Sequence, residues 1–215
     1  MYSYFNLNLN LKMKLRPFAL SLLLLVCACH KNHEASDQYV KNGNAKWDAN
    51  DYAGALQEYD KAIKAEPDYA SLYLNRGKLK WQLKDYKAAE ADCEKGISLD
   101  SKLGSAYITL ANIKLDDKDT TGAMKVYDQM VTILPDNLNG YMFRGQLESE
   151  LKNYSAAIKD YNNIISNNEK NGGLYVLRGH VKFRSGDKNG ACADFVKGKE
   201  LGAKGADEAI SSFCH

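Results

Sequence analysis

Four histidines, His30, His33, His180 and His215, lie scattered along the chain, and no HExxH, paired Cys-x-x-Cys, GxSxG elbow or glycine-rich phosphate loop accompanies them. His30 and His33 are spaced for a loose metal contact, but solvated tether residues account for them better, and no metal site is assigned. The carboxylates follow helix-surface and cap positions rather than forming an isolated acid and base pair, so hydrolytic or redox catalysis has no visible machinery, and neither enzyme activity nor a cofactor is expected. Sulfur offers more. Cys93 falls in a packing column and reads as a buried small hydrophobe. Cys192 and Cys214 sit near the C-terminus, where an oxidising compartment would join them in a disulfide, the alternative being two free thiols.

The elements that carry these residues are set by a period. A chain of 215 residues has room for one ordinary domain or one elongated repeat array, and 45% hydrophobic and 26% charged residues with only 3 Pro exclude disordered and low-complexity classes. A net charge of +2 from 29 basic and 27 acidic residues leaves no excess to neutralise a phosphate backbone, so nucleic acid is excluded as a partner. Frames of 34 residues starting at Ser36, Ala70, Gly104, Leu138 and Gly172 align without an insertion. Their fourth place holds Tyr39, Tyr73, Tyr107, Tyr141 and Tyr175, and their eighth Gly43, Gly77, Ala111, Gly145 and Gly179. The twentieth holds Ala55, Ala89, Ala123, Ala157 and Ala191, and the twenty-fourth Tyr59, Cys93, Tyr127, Tyr161 and Phe195. Small residues at the eighth and twentieth places let two helices approach closely, and the aromatic columns fill the space between neighbours. Asp51, Asp85, Asp119, Asn153 and Asp187, at the sixteenth place, are positioned to cap the second helix of each pair. Residues 40–47 and 53–66 read as the first antiparallel pair, and Pro67 and Pro135 close the first and third repeats.

Charge follows the same frame. The seventh place holds Arg76, Arg144 and Arg178, and the same three repeats hold Asp92, Asp160 and Asp194 at the twenty-third. The third repeat has Leu110 and Val126 at those places and the first has Asn42 and Glu58, so the charges come and go together. This co-occurrence predicts a bidentate, partly buried Arg–Asp pair inside each of those three repeats. Pairing across to the following repeat fits worse, because Asp92 would face Leu110 and Val126 would face Arg144.

The pattern resembles the tetratricopeptide repeat family over residues 36–205, with frames 36–69, 70–103, 104–137, 138–171 and 172–205. Departures are Ala111 for glycine, Cys93 for an aromatic, Ser101 and Glu169 for proline and Lys188 for tyrosine. The resemblance implies an all-α, right-handed superhelical solenoid of helix-turn-helix repeats, whose first helices line a concave groove. Residues 206–215 remain as a capping helix over the last repeat. By the same resemblance the groove carries Asn44 and Trp47, then Leu74, Lys78 and Trp81, Ile108 and Asn112, Met142 and Gln146, and His180 and Phe183. Such a wall suits an extended peptide or helix, with aromatic anchors and amides that hold backbone; the competing reading is that both tryptophans merely pack between helices. Some family members clamp a terminal carboxylate with two amides and three cations. Asn44 and Asn75 match the amides, but Val40, Ser105 and Thr109 stand where cations belong, which disfavours that mode.

The first segment is an address. Lys12, Lys14 and Arg16 precede an apolar run from Phe18 to Ala28 that is too short to cross a membrane as a mature helix, the geometry of a secretory signal, with Met13 a compact alternative start to Met1. Val26-Cys27-Ala28-Cys29 resembles the bacterial lipoprotein cleavage motif, with a cysteine two places before the cut as its departure. That resemblance implies removal of residues 1–28, acylation of Cys29 and a short tether over 29–35, against an ordinary secretory signal or an uncleaved anchor. The expected whole is a lipoprotein held to a membrane of the bacterial cell envelope, the outer favoured over the inner although residues 30–34 carry no firm sorting cue, and scaffolding a protein or peptide partner. A small-molecule or glycan-binding module and a non-catalytic accessory subunit of an envelope enzyme are the alternatives.

Overall fold

A computed structural model describes residues 34–214, so residues 1–33, including the signal segment and Cys29, lie outside the described part. Regular structure among the described residues is entirely helical. The pairs are α1 (Glu34–Asp48) with α2 (Tyr52–Ala65), α3 (Ala70–Gln82) with α4 (Tyr86–Leu99), and α5 (Gly104–Asp116) with α6 (Thr120–Ile133). They continue as α7 (Leu138–Glu150) with α8 (Tyr154–Asn167) and α9 (Gly172–Arg184) with α10 (Lys188–Glu200), and α11 (Ala206–Phe213) follows. Each helix packs mainly on its partner in the pair and on the first helix of the next pair, the one-dimensional contact pattern of a solenoid. The first helix starts six residues earlier than the expected 40–47, reaching into the segment assigned to the tether, because Glu34 and Asp37 place negative charge in its first turn, where the helix dipole favours it.

The aligned columns become the core. Tyr59, Tyr107, Tyr127 and Phe195 are fully buried, as are Ala55, Ala89, Ala123, Ala157 and Ala191. At Gly43 and Gly179 an added Cβ would stand 2.7 Å from the Tyr59 ring and 2.6 Å from the Phe195 ring, so the small residue is required by the aromatic opposite it. Cys93, where the second repeat departs from the aromatic, is buried, and burial pushes its thiol up to about 12. The fourth-place tyrosines also tie one repeat to the loop before it: Tyr73 donates to the Pro67 carbonyl at 2.9 Å and Tyr107 to the Ser101 carbonyl at 3.2 Å.

Asp51, Asp85, Asp119 and Asp187 accept from the amides of Gly54, Ala88, Gly122 and Gly190 and so cap α2, α4, α6 and α10. Asn153 does not cap α8. Its amide instead donates to Glu148 at 2.7 Å, a carboxylate standing where the other repeats carry lysine. Immediately before each cap the chain takes a left-handed turn, at Asn50, Lys84, Lys118, Lys152 and Gly186. Only Gly186 is the residue type that adopts this conformation without cost.

Each arginine of the seventh column grips the aspartate of its own repeat with two bonds. Arg76 Nε and Nη2 reach Asp92 at 2.8 and 2.6 Å, Arg144 reaches Asp160 at 2.8 and 2.6 Å, and Arg178 reaches Asp194 at 2.9 and 2.6 Å. The remaining Nη1 crosses to the preceding repeat, donating to Asp60, Asp128 and Asn162, and the guanidinium lies over Tyr73, Tyr141 and Tyr175 respectively. One side chain therefore fastens three helices. Lys80 and Lys182 add a second cation to Asp92 and Asp194 at 2.8 and 2.9 Å, whereas Asp160 has Glu148 at the equivalent place and relies on Arg144.

The helix α11 begins where the first helix of a sixth frame would begin, and it packs on α10 and α9 as such a helix does. Gly205, in the left-handed region, turns the chain into it, and a disulfide between Cys192 and Cys214, with Cα atoms 5.6 Å apart, fastens its end to α10.

Candidate functional site

The first helices α1, α3, α5, α7 and α9 lie side by side and leave a row of clefts between them. Between α1 and α3 a cleft of about 450 Å³ is walled by Trp47, Trp81, Lys78, Gln82 and Tyr86. Neither indole is loose. Trp47 Nε1 donates to Gln82 Oε1 at 2.7 Å and Trp81 Nε1 to Asp116 Oδ2 at 2.8 Å, each bond crossing to the next repeat. The Trp47 ring meets Tyr59 edge-on, with centroids 6.4 Å apart. Both tryptophans remain half-buried, so they bridge repeats and still present ring surface to the cleft.

Asn44 and Asn112 are oriented from below. Tyr59 Oη donates to Asn44 Oδ1 at 2.6 Å, and Tyr127 Oη to Asn112 Oδ1 at 3.4 Å, which occupies each amide oxygen and leaves its NH₂ donors free of that bond. This link between the ninth and twenty-fourth places was missed in the sequence, although Asn pairs with Tyr there in the first and third frames and not in the others.

Further along, Met142 and Gln146 face His180 across a cleft of about 410 Å³ between α7 and α9, and Gln146 also borders a smaller cleft of about 160 Å³ with Asn112. Ile108 is half-buried against the central core and Asn75 is half-buried on α3. Leu74 departs from the expected groove lining: it is buried in the core, because α4 and α5 close over it. Phe183 departs as well, packing on Phe213 at 4.5 Å under the capping helix, which fills the groove where a sixth repeat would continue it. His180 is shared between the two environments, with ring contacts to Phe195 at 5.0 Å and Phe213 at 5.7 Å, and burial together with nearby Arg184 holds its pKa below the usual imidazole value.

The described residues contain no group of three or more His, Cys, Asp or Glu side chains able to hold a metal ion, and no helix among them is long and apolar enough to cross a membrane.

Residues 40–102 match one tetratricopeptide repeat profile and residues 138–171 match another. A sequence search of curated proteins returned no match. Solved structures share the fold. The MamA protein superposes with a TM-score of 0.64 at 22% identity, covering 81% of this chain and 95% of that one. MamA from Desulfovibrio magneticus RS-1 gives 0.62 at 17% identity over 78% and 95%, and YrrB gives 0.58 at 16% over 82% and 91%. The period, the helix pairs and these matches together identify the chain as one that carries tetratricopeptide repeats stacked into an all-helical solenoid.

Proposed function

We propose that this chain is a lipid-anchored, non-catalytic scaffold of the bacterial cell envelope that holds an extended peptide or a helix of a partner protein along α1, α3, α5 and α7. The observation that carries this reading is the row of clefts on that face, in which half-buried tryptophans and tyrosine-oriented amides alternate. Aromatic anchors of this kind supply most of the energy of a peptide interface, while fixed amide donors take the carbonyls of the peptide backbone. YrrB, similar in fold, is a TPR protein with an unusual peptide-binding site, and a peptide-binding role is proposed for the face described here.

The anchor rests on the sequence: a basic stretch, an apolar run and Val26-Cys27-Ala28-Cys29. With α1 starting at Glu34, the solenoid would stand within about 17 Å of the acylated cysteine. The Cys192–Cys214 bond suits an exported chain, since disulfides persist in oxidising compartments. The outer membrane is the favoured site.

Crosslinking and affinity purification from detergent-solubilised membranes tests the scaffold, comparing the native protein with a Trp47→Ala, Trp81→Ala variant verified as folded by its helical circular dichroism. A stoichiometric protein partner captured by the native chain and lost from the variant is expected; no protein with either would overturn the scaffold. Mass spectrometry of the mature N-terminus tests the anchor, which fails if the chain begins at any residue other than an acylated Cys29.

A further inference from the structure

The repeats provide their own reference for which polar groups of the concave face find a partner in the neighbouring repeat. At the thirteenth place Gln82 and Asp116 each accept the indole N–H of the tryptophan at the twelfth place one repeat earlier. The next two steps break that rule. Glu150 follows Leu115, which has no donor, and Arg184 is a donor in place of an acceptor, reaching the Ser149 hydroxyl at 3.4 Å. A second rule fails at the same spot: Tyr59 and Tyr127 donate to Asn44 and Asn112, but Tyr161 faces Gln146 and makes no hydrogen bond among the described residues; its ring is buried while its hydroxyl is not, and so opens to the cleft.

These three groups line a single cleft of about 410 Å³ between α7 and α9, whose apolar wall is Met142, Leu177 and Val181. Glu150 takes one 3.3 Å bond from Gln146, and neither it nor Arg184, both exposed at the mouth of the cleft, has an ion-pair partner among the described residues. Burial raises the Tyr161 pKa, so its hydroxyl stays a donor. The cleft thus has a cationic wall with two donors, an anionic wall with an acceptor, and an aliphatic floor.

We propose that this cleft binds a ligand bearing a carboxylate and a cationic N–H group on an aliphatic body, the carboxylate at Arg184 and Tyr161 and the cation at Glu150. A ligand with one charge would satisfy one wall and leave the other opposed or unpaired, so both poles are needed for complementarity. That chemistry comes either from a free amino acid or from a partner segment with acidic, apolar and basic side chains in neighbouring positions. The inference rests on the concave face being a ligand surface, but not on the tryptophan cleft at its other end.

Isothermal titration of the full-length protein at millimolar ligand uses four probes: L-leucine, N-acetyl-leucine with the carboxylate alone, leucinamide with the ammonium alone, and the blocked tripeptide acetyl-Lys-Leu-Asp-amide. Leucine or the tripeptide is expected to bind, and which of the two binds names the source. Arg184→Leu, Glu150→Gln and Tyr161→Phe should each weaken that binding about tenfold, as loss of one charge-assisted bond does, while Lys125→Ala, at an exposed place on α6 away from the clefts, leaves it unchanged. Melting temperatures within a few degrees of native certify the variants; Tyr161→Phe removes a single oxygen and keeps the packing. Binding of N-acetyl-leucine or leucinamide as tight as that of leucine overturns the proposal, as do silence with every probe and variants that bind like the native chain. Partner capture that depends on Trp47 and Trp81, alongside a silent cleft, overturns this inference and leaves the scaffold standing; probe binding without any captured partner does the reverse.

Discussion

Replacing Arg144 by leucine strands a charge. Asp160 is 2% exposed, and both its oxygens are held by the Arg144 guanidinium at 2.6 and 2.8 Å. No lysine stands behind it, because the eleventh place of that repeat is Glu148. Breaking a buried pair from one side costs about 3–5 kcal/mol, since the remaining carboxylate keeps its desolvation penalty without its partner. The lost bond to Asp128, a 57% exposed side chain, adds at most about 1 kcal/mol. For a chain of this size the total of about 3–6 kcal/mol lowers the melting temperature by about 6–24 °C. Arg76→Leu and Arg178→Leu should cost less, about 1–3 kcal/mol, because Lys80 and Lys182 remain on Asp92 and Asp194. The double variant Arg144→Leu, Asp160→Val copies the third repeat, where Leu110 and Val126 pack at 3% and 6% exposure, and should recover to within about 1 kcal/mol of native. Urea denaturation followed by circular dichroism completes the double-mutant cycle. A double variant no more stable than Arg144→Leu, or an Arg76→Leu as damaging as Arg144→Leu, refutes the reasoning.

Three further outcomes are expected. Lys118 holds φ 67° in the turn where the fifth repeat has Gly186, so Lys118→Gly removes about 1–2 kcal/mol of left-handed strain against about 0.5–1 kcal/mol of chain entropy, and a denaturation midpoint raised by a net 0.5–1 kcal/mol, about the difference, checks it. The Cys192–Cys214 bond closes a separation of 22 residues and contributes about 3 kcal/mol; reductant and Cys214→Ser should lower the melting temperature by the same amount, and reductant should do nothing further to the variant. His180 has a folded-state pKa below its ordinary 6.5, so the unfolded chain takes up its proton first and stability falls as pH drops below about 6.5 toward the folded value. Melting curves at pH 7 and pH 5 should show a smaller acid loss for His180→Gln than for the native protein.

The columns of the 34-residue frame were legible because a solenoid repeats its packing, so each small or aromatic position is stated five times and chance alignment averages out. The Arg–Asp relation was legible by the same logic, since Leu110 and Val126 remove both charges in one repeat. What stayed hidden has no column of its own type. The Nη1 contact of each arginine ends on Asp60, Asp128 or Asn162, and the second cation on Asp92 and Asp194 comes from the eleventh place, where Glu148 interrupts the lysines. Leu74 and Phe183 were assigned to the groove by place alone, but exposure depends on what the next helix covers, and α5 and α11 cover these two. The left-handed turns at Lys84, Lys118 and Lys152 gave no signal, because lysine is not a residue that announces a positive φ.

Regularity and departure therefore carry different information in this chain. A position that follows the period is spent on holding neighbouring repeats together: the indole of Trp47 on Gln82, the indole of Trp81 on Asp116, Tyr59 on Asn44. A position that leaves the period while lining a cleft is not required for stacking, and a polar side chain there keeps its hydrogen-bonding capacity for solvent or a ligand. Glu150 and Arg184, exposed on α7 and α9, meet both conditions, and they flank Tyr161, which keeps its column but faces Gln146 instead of an asparagine. Restoring around this cleft a residue that the other repeats use should make the protein more stable, since the contact those repeats make would be restored. The substitution Gln146→Asn rebuilds the Asn44–Tyr59 contact in the fourth repeat, and a raised denaturation midpoint is the expected result. A lowered midpoint would mean that the irregular side chains are themselves structural, and would remove the ground for treating this cleft as a site.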